Sequence, residues 1–168
     1  VQTQVEFDRE VAPLHNITVT CTDLGDPTQK AIVLLPVYIT DINDNTPVFA
    51  QPEYRATTVE NEPAGTFLLR VEATDSDAAE NGKIAYSLDT SVDDILSIDP
   101  LSGNITVRYA LDRENSSLLV FNVTAYDHGT PSRTGYALVT ITVVDTNDEI
   151  PVFSQTSYQF SVAENRAA

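Results

Sequence analysis

Apolar and polar residues alternate two apart along much of this chain, in short runs closed off by glycine, proline, asparagine and aspartate. Leu119, Phe121, Val123 and Ala125 fall on one side of such a run, with Asn122 and Thr124 on the other. Further on, Val139, Ile141 and Val143 alternate with Thr140 and Thr142 as far as Asp145. A period of two sends successive side chains to opposite faces of a strand, so the aliphatic sets read as core and Asn122 as outward-facing. No stretch sustains a helical period. The pattern predicts strands over roughly 53–60, 66–74, 83–89, 95–99, 104–109, 118–127 and 135–145, with Asp99-Pro100-Leu101-Ser102-Gly103 as a turn. Short β-branched and aromatic runs between turn signals point to an all-β sandwich.

The pattern also repeats. Asp41-Ile42-Asn43-Asp44-Asn45-Thr46-Pro47-Val48-Phe49 returns as Asp145-Thr146-Asn147-Asp148-Glu149-Ile150-Pro151-Val152-Phe153, an offset of 104 residues (145 − 41). The same shift carries Phe7-Asp8-Arg9-Glu10 onto Leu111-Asp112-Arg113-Glu114, Asp23 onto Asp127, Tyr54 onto Tyr158 and Glu60-Asn61 onto Glu164-Asn165. One period shared by separated anchors is the mark of a tandem array. Residues 46–149 are read as one complete unit, 1–45 as the second half of a preceding unit, and 150–168 as the first strand of a following one. In the first half-unit Ile17, Val19 and Cys21 are expected inward, with Asn16, Thr18 and Thr20 outward. Cys21 matches Ala125 and is expected to be a buried structural thiol; as the sole cysteine it leaves no disulfide within the chain.

Charge narrows the partners. A net charge of −16, from 25 acidic against 9 basic residues, repels a nucleic-acid backbone or an anionic membrane. No apolar stretch is long enough to insert into a bilayer. Four triplets satisfy the N-glycosylation pattern, at Asn16, Asn104, Asn115 and Asn122, and favour a secreted or cell-surface protein.

The acids are clustered in strings such as Asp8-Arg9-Glu10, Asn43-Asp44-Asn45 and Asp75-Ser76-Asp77. Bare carboxylates about 4 Å apart repel by roughly 1 kcal/mol in water and about 4 at an effective dielectric near 20, so a cation is expected among them. Strand parity brings them together. With consecutive strands antiparallel, the Asp8/Glu10 loop lies at the bottom of one unit, while Asp75, Asp77 and Asp127 lie at the top of the next. Both sets face the Asp41–Asn45 linker. Carboxylate and amide oxygens without His or Cys suit a hard divalent cation, and calcium fits best because it accepts six to eight oxygens in flexible geometry. His15 and His128 belong to no metal spacing.

The chain resembles the extracellular repeat of the cadherin superfamily, in particular its long non-classical members and protocadherins. The resemblance is carried by Tyr54…Val59-Glu60-Asn61-Glu62-Pro63-Ala64-Gly65-Thr66, Ala73-Thr74-Asp75-Ser76-Asp77, Asn81-Gly82-Lys83-Ile84-Ala85-Tyr86 and Ile98-Asp99-Pro100-Leu101-Ser102-Gly103-Asn104-Ile105. Leu111-Asp112-Arg113-Glu114, Ala125-Tyr126-Asp127 and Asp145-Thr146-Asn147-Asp148 complete it. It implies tandem seven-stranded Greek-key, immunoglobulin-like sandwiches joined by calcium-binding linkers, with three calcium ions per complete linker. At the first linker the family scheme implies side-chain ligation by Asp8, Glu10, Asp41, Asn43, Asp44, Asp75, Asp77 and Asp127, and backbone carbonyls from Ile42, Asn45 and Asn81. At the second it implies Glu60, Asp112, Glu114, Asp145, Asn147 and Asp148, with the carbonyl of Thr146; partner acids of the next unit would lie beyond Ala168. Glu149 stands where the family usually has Asn, a change expected to be tolerated if that position offers its backbone carbonyl.

The function so implied is calcium-dependent cell–cell adhesion or recognition, with a cadherin of the same or a related type on an apposed or the same cell as partner. The alternative is a non-adhesive spacer or force-bearing tether. The tryptophan docking of the family's best-known adhesive subtype is not assigned, since the chain has no Trp. An enzyme with paired carboxylates, such as a glycoside hydrolase, is disfavoured because these acids map to junctions rather than to a cleft.

Overall fold

The computed structural model describes residues 5–164, in eleven strands and, among those residues, no helix. β1 (Leu14–Thr22) and β2 (Lys30–Tyr38) form an antiparallel pair. The remaining strands are β3 (Val48–Phe49), β4 (Glu53–Val59), β5 (Phe67–Arg70), β6 (Ala73–Thr74), β7 (Ala85–Leu88), β8 (Leu96–Ile98), β9 (Asn104–Val107), β10 (Leu118–Tyr126) and β11 (Thr134–Val144). They build a Greek-key sandwich: a four-stranded sheet in the order β4-β11-β10-β7 faces a three-stranded one in the order β5-β9-β8, with a β3-β6 pair beside them.

Alternation decides the core as the sequence predicts. Leu119, Phe121, Val123 and Ala125 of β10 and Ala137, Val139, Ile141 and Val143 of β11 are buried. They pack with Val71, Leu96, Ile105, Leu111 and Tyr54. β4 pairs with β11 in parallel, as the first and seventh strands of the sandwich must when β3/β4 and β5/β6 each count once in an antiparallel succession.

One of the seven expected strands is split, and another is preceded by a short segment not expected. The stretch 66–74 breaks after Arg70, so that β5 joins one sheet and β6 pairs with β3. Gly103, at φ +71°, presses against the break: a Cβ there would sit 2.3 Å from the Val71 carbonyl oxygen. Backbone groups freed from a ladder need other partners. Two tyrosines supply them, Tyr54 Oη donating to the Glu72 carbonyl at 3.0 Å and Tyr86 Oη accepting the Ala73 N–H at 2.9 Å. The first strand likewise begins early as β3, across the β3–β6 pair, before continuing as β4. With β3/β4 and β5/β6 each counted once, the sandwich has the seven strands expected.

The first hairpin repeats the last. β1 pairs Leu14 with Tyr38, and β10 pairs Leu118 with Thr142, so the register recurs at the same offset of 104 (118 − 14 and 142 − 38). Burial does not recur. Cys21 is exposed, Val19 is 42 % exposed and Ile17 only half-buried, against the expectation of an inward set. The two-stranded sheet has no second sheet over it among the described residues, and alternation gives a face but not its cover. Residues 150–164 form no strand; the equivalents of their strand-bearing positions pair with β6 and β11, and no such partners are described there. Asn165, one of the repeat anchors, lies outside the described residues.

Candidate metal centre

The first linker threads between the Asp8–Glu10 loop and the top of the sandwich. Carboxylate oxygens of Glu10, Asp41 and Asp77, one from each of these three segments, lie within 4.8 Å of one another. At that spacing each pair repels by roughly 1 kcal/mol in water and about 3.5 at an effective dielectric of 20. Asp41 Oδ2 accepts the Ala78 N–H at 3.0 Å and the Asn81 amide at 2.9 Å. Asn45 donates its backbone N–H and its side-chain amide to Asp77, at 3.1 and 2.6 Å. Asp75 Oδ1 accepts the Asp77 N–H at 2.9 Å, a local turn next to the Asn45–Asp77 contacts.

Asn43 is buried where the linker crosses the β10–β11 turn. Its side-chain amide donates to the Pro131 carbonyl at 2.7 Å, and its backbone carbonyl accepts the Arg133 Nε–H at 2.9 Å. The approach depends on Gly129: a Cβ at that position would lie 2.1 Å from Asn43 Nδ2. Asp127, 1 % exposed, holds the same turn, its Oδ1 accepting the N–H groups of Gly129 and Arg133, both at 3.0 Å. Burial pushes the Asp127 carboxyl up, but hydrogen bonds from the N–H groups of Arg133 and Gly129, with the side chains of Asn43 and Ser132, together keep the acid below its usual 3.8. It is an anion inside the fold.

Four buried side-chain oxygens in this region have no hydrogen-bond partner: Asp41 Oδ1, Asn43 Oδ1, Asp75 Oδ2 and Asp127 Oδ2. Buried polar atoms are ordinarily satisfied, because each orphan costs about 1–3 kcal/mol and more when charged. All four belong to residues that the family scheme names as ligands. Asp41 Oδ1 is also in ionic contact with Arg9 Nε, without the alignment of a hydrogen bond. Acceptor-only carboxylate and amide oxygens suit a hard cation.

The second linker is built alike but lies open. Glu60, 3 % exposed, accepts the Arg113 N–H at 2.9 Å through Oε2 and the Thr146 N–H at 2.6 Å through Oε1. The N–H groups of Thr146 and Arg113 hold its carboxyl below the usual 4.5. Oxygens of Glu60, Glu114 and Asp148 lie within 4.8 Å of one another. Burial and the charge of Glu60 push Glu114 above its usual value. Asp145, Asn147, Asp148 and Glu149 are exposed.

Some expected ligands turn elsewhere. Asp8 Oδ1 caps its own loop by accepting the Val11 N–H at 3.0 Å, and Asp112 does the same with Asn115 at 3.1 Å. Asp44 accepts the Asn45 amide, and the Ile42 carbonyl already accepts the Asp44 N–H at 2.8 Å.

Sequence reasoning missed the arginines. Arg9 pairs with Asp41 and Glu10 and donates to the Ser76 carbonyl at 2.7 Å; Arg113 pairs with Asp145 at 3.1 Å and Glu114 at 3.0 Å. The two sets differ by the repeat offset alone. Each guanidinium bridges two acids of its junction as a resident countercharge. Asn61 was also missed, its amide donating to Asp148 Oδ2 at 2.6 Å. The recurrence of both residues at the offset was the available signal.

The sequence profile of the cadherin domain matches residues 54–144. The chain belongs to the cadherin family. It is 42 % identical over 161 residues to human Protocadherin Fat 4, covering 96 % of this chain and 3 % of that protein. It is 36 % identical over 172 residues to Protein dachsous of Drosophila melanogaster, covering 99 % of this chain and 5 % of that one. Among solved structures, Protocadherin Gamma B2 extracellular cadherin domains 3-6 superposes with a TM-score of 0.76 at 33 % identity, over 84 % of this chain and 35 % of that one. The Protocadherin gammaB7 EC3-6 cis-dimer structure reaches 0.81 at 29 % identity, over 94 % and 38 %. The chain thus spans a small part of the curated cadherins it matches. These relatives place it in the extracellular part of a cell-surface protein.

Proposed function

We propose that residues 1–45, 46–149 and 150–168 are the end, the whole and the start of successive cadherin repeats, and that the two junctions bind calcium. For the first junction the reading is supported by the buried oxygens of Asn43, Asp75 and Asp127 that lack a partner and by Asp41 Oδ1, which meets only Arg9; for the second it is supported by the clustered oxygens of Glu60, Glu114 and Asp148. At the first junction Glu10, Asp41, Asn43, Asp75, Asp77 and Asp127 would hold the ions, with Asp8, Asp44 and the carbonyls of Ile42, Asn45 and Asn81 completing the shells. At the second, Glu60, Glu114, Asp145 and Asp148 would do so, with Asp112, Asn147 and the Thr146 carbonyl. Three ions per complete junction would cancel the crowded charge and make two sandwiches share ligands, so the array stiffens. Extracellular sites of this kind have Kd of roughly 10⁻⁴ to 10⁻³ M.

The stiffened array serves cell–cell adhesion or recognition, with a cadherin of the same or related type as partner. A spacer or force-bearing role is the second reading, favoured by exposed sequons at Asn16, Asn115 and Asn122. Small-angle scattering and melting of the tandem protein, in millimolar calcium and in chelator, test the site. Stiffening with a higher Tm supports it; indifference to calcium reduces the acids to solvated loops.

A further inference from the structure

The outward face of β10 and β11 carries an apolar strip. Leu118 and Val120 are each 53 % exposed, Tyr136 65 % and Leu138 37 %. Charge lies at its edge, where Glu53 and Arg55 of β4 pair with each other and adjoin Leu138 and Thr140. A contiguous exposed apolar patch is a mark of an interaction site.

Asn122 stands in the middle of this strip. It is exposed, and its direct cross-strand partner is Leu138. Val120 is two residues back on the same face, and Tyr136 lies diagonally across, opposite Thr124. Directly opposed side chains have Cβ atoms about 5 Å apart and diagonal ones about 7–8 Å. Asn122-Val123-Thr124 is also an N-glycosylation triplet, and Thr124 shares the outward face. Of the other sequons, Asn115 sits in the loop before β10 and Asn104 is half-buried at the start of β9, whereas Asn16 on β1 also has exposed apolar neighbours on its face, Leu14 and Leu34, though no complete sandwich is described beneath it.

We propose that Asn122 carries an N-linked glycan whose first sugars lie on the Val120–Leu138–Tyr136 strip and close this sheet face to protein contact. The oligosaccharide is transferred from a lipid-diphosphate donor. A C–N bond forms between its anomeric carbon and Asn122 Nδ2, the anomeric C–O bond breaks, the diphosphate leaves with the electron pair, and the amide nitrogen loses one proton. Sugar rings present C–H faces as well as hydroxyls, so the inner residues cover aliphatic and tyrosyl surface while their hydroxyls meet water. Any adhesive contact of this repeat then uses a surface other than the β10–β11 face.

The inference rests on the extracellular placement of the chain, and the experiment separates the two. The full chain is secreted from glycosylating animal cells and its sequons are mapped by glycopeptide mass spectrometry. Binding of an apolar dye and sedimentation are then compared before and after enzymatic deglycosylation of the folded protein, and in Asn122→Gln, Thr124→Ala, Thr124→Ser and Asn115→Gln. The expected result is occupancy at Asn122 in most molecules. Deglycosylation, Asn122→Gln and Thr124→Ala should each raise dye fluorescence severalfold and produce concentration-dependent self-association, whereas Thr124→Ser and Asn115→Gln should not. An unmodified Asn122 beside modified Asn16 or Asn115 overturns the proposal and leaves the strip open to a second copy. A modified Asn122 whose removal changes neither readout overturns the covering role. If no sequon is modified, the proposal fails while the extracellular placement, which rests on the relatives, stands.

Discussion

Asp127→Asn separates a ligand from a turn residue. Asparagine preserves the shape of Asp127 and one oxygen for the N–H groups of Gly129 and Arg133, but removes the charge and the second, partnerless oxygen. In chelator two effects oppose each other: both turn hydrogen bonds lose their charge assistance, and a buried anion disappears. The lowered Asp127 pKa puts the hydrogen bonds to the carboxylate, taken together, ahead of burial. The variant should therefore be less stable than wild type by no more than about 1 kcal/mol. Calcium changes this. A site with Kd of roughly 10⁻⁴ to 10⁻³ M stabilises the bound state at 10 mM calcium by RT ln(1 + [L]/Kd), about 1.4 to 2.7 kcal/mol. For a domain of this size that is a rise in Tm of about 6–20 °C, which the variant should largely lose. The assay is thermal unfolding of both proteins, repeated across a calcium titration. A gap between them that is the same in chelator and in 10 mM calcium refutes the argument, because Asp127 then serves the turn alone.

Gly129→Ala should weaken calcium binding at the first linker severalfold, since its Cβ would displace the Asn43 side chain; calorimetric titration giving an unchanged Kd contradicts this. Gly103→Ala should cost more than about 1 kcal/mol in denaturant unfolding, because alanine must take φ +71° with its Cβ against the Val71 carbonyl oxygen. Asp99 is held below its usual 3.8 by the Ser102 N–H and hydroxyl and the Leu101 N–H. Its carboxylate therefore stabilises the fold above about pH 4, and that contribution is lost as pH falls through the lowered folded value. In chelator, wild type should exceed Asp99→Asn in stability at pH 7 and lose that advantage in strong acid; a pH-independent difference contradicts the assignment.

The sandwich was legible because β10 and β11 bury one face each, and a period of two is then unambiguous. What escaped was set by contacts distant in sequence. Val48–Phe49 is too short for any period, and the break at Val71–Glu72 depends on Gly103, Tyr54 and Tyr86 from three other segments. The face of Cys21 could be read, but its burial depends on a sheet that the alternation of β1 does not encode. Convergence of the acids followed from strand parity. The countercharge role of Arg9 and Arg113 did not, because an arginine between two acids reads as a solvated string until the linker is folded back onto it.

The parallel pairing of β4 with β11 has a mechanical consequence. Seven consecutive positions are matched, from Glu53 beside Leu138 to Val59 beside Val144, and the linkers enter before β4 and leave after β11. Tension along the array pulls these neighbours in opposite directions along their common axis. The ladder is then loaded in shear, with its hydrogen bonds sharing the force together, whereas an antiparallel pair pulled from one end peels open bond by bond. The strand pairing that brings Glu60 beside the outgoing linker is thus also a clamp against a pull on the two ends of the sandwich.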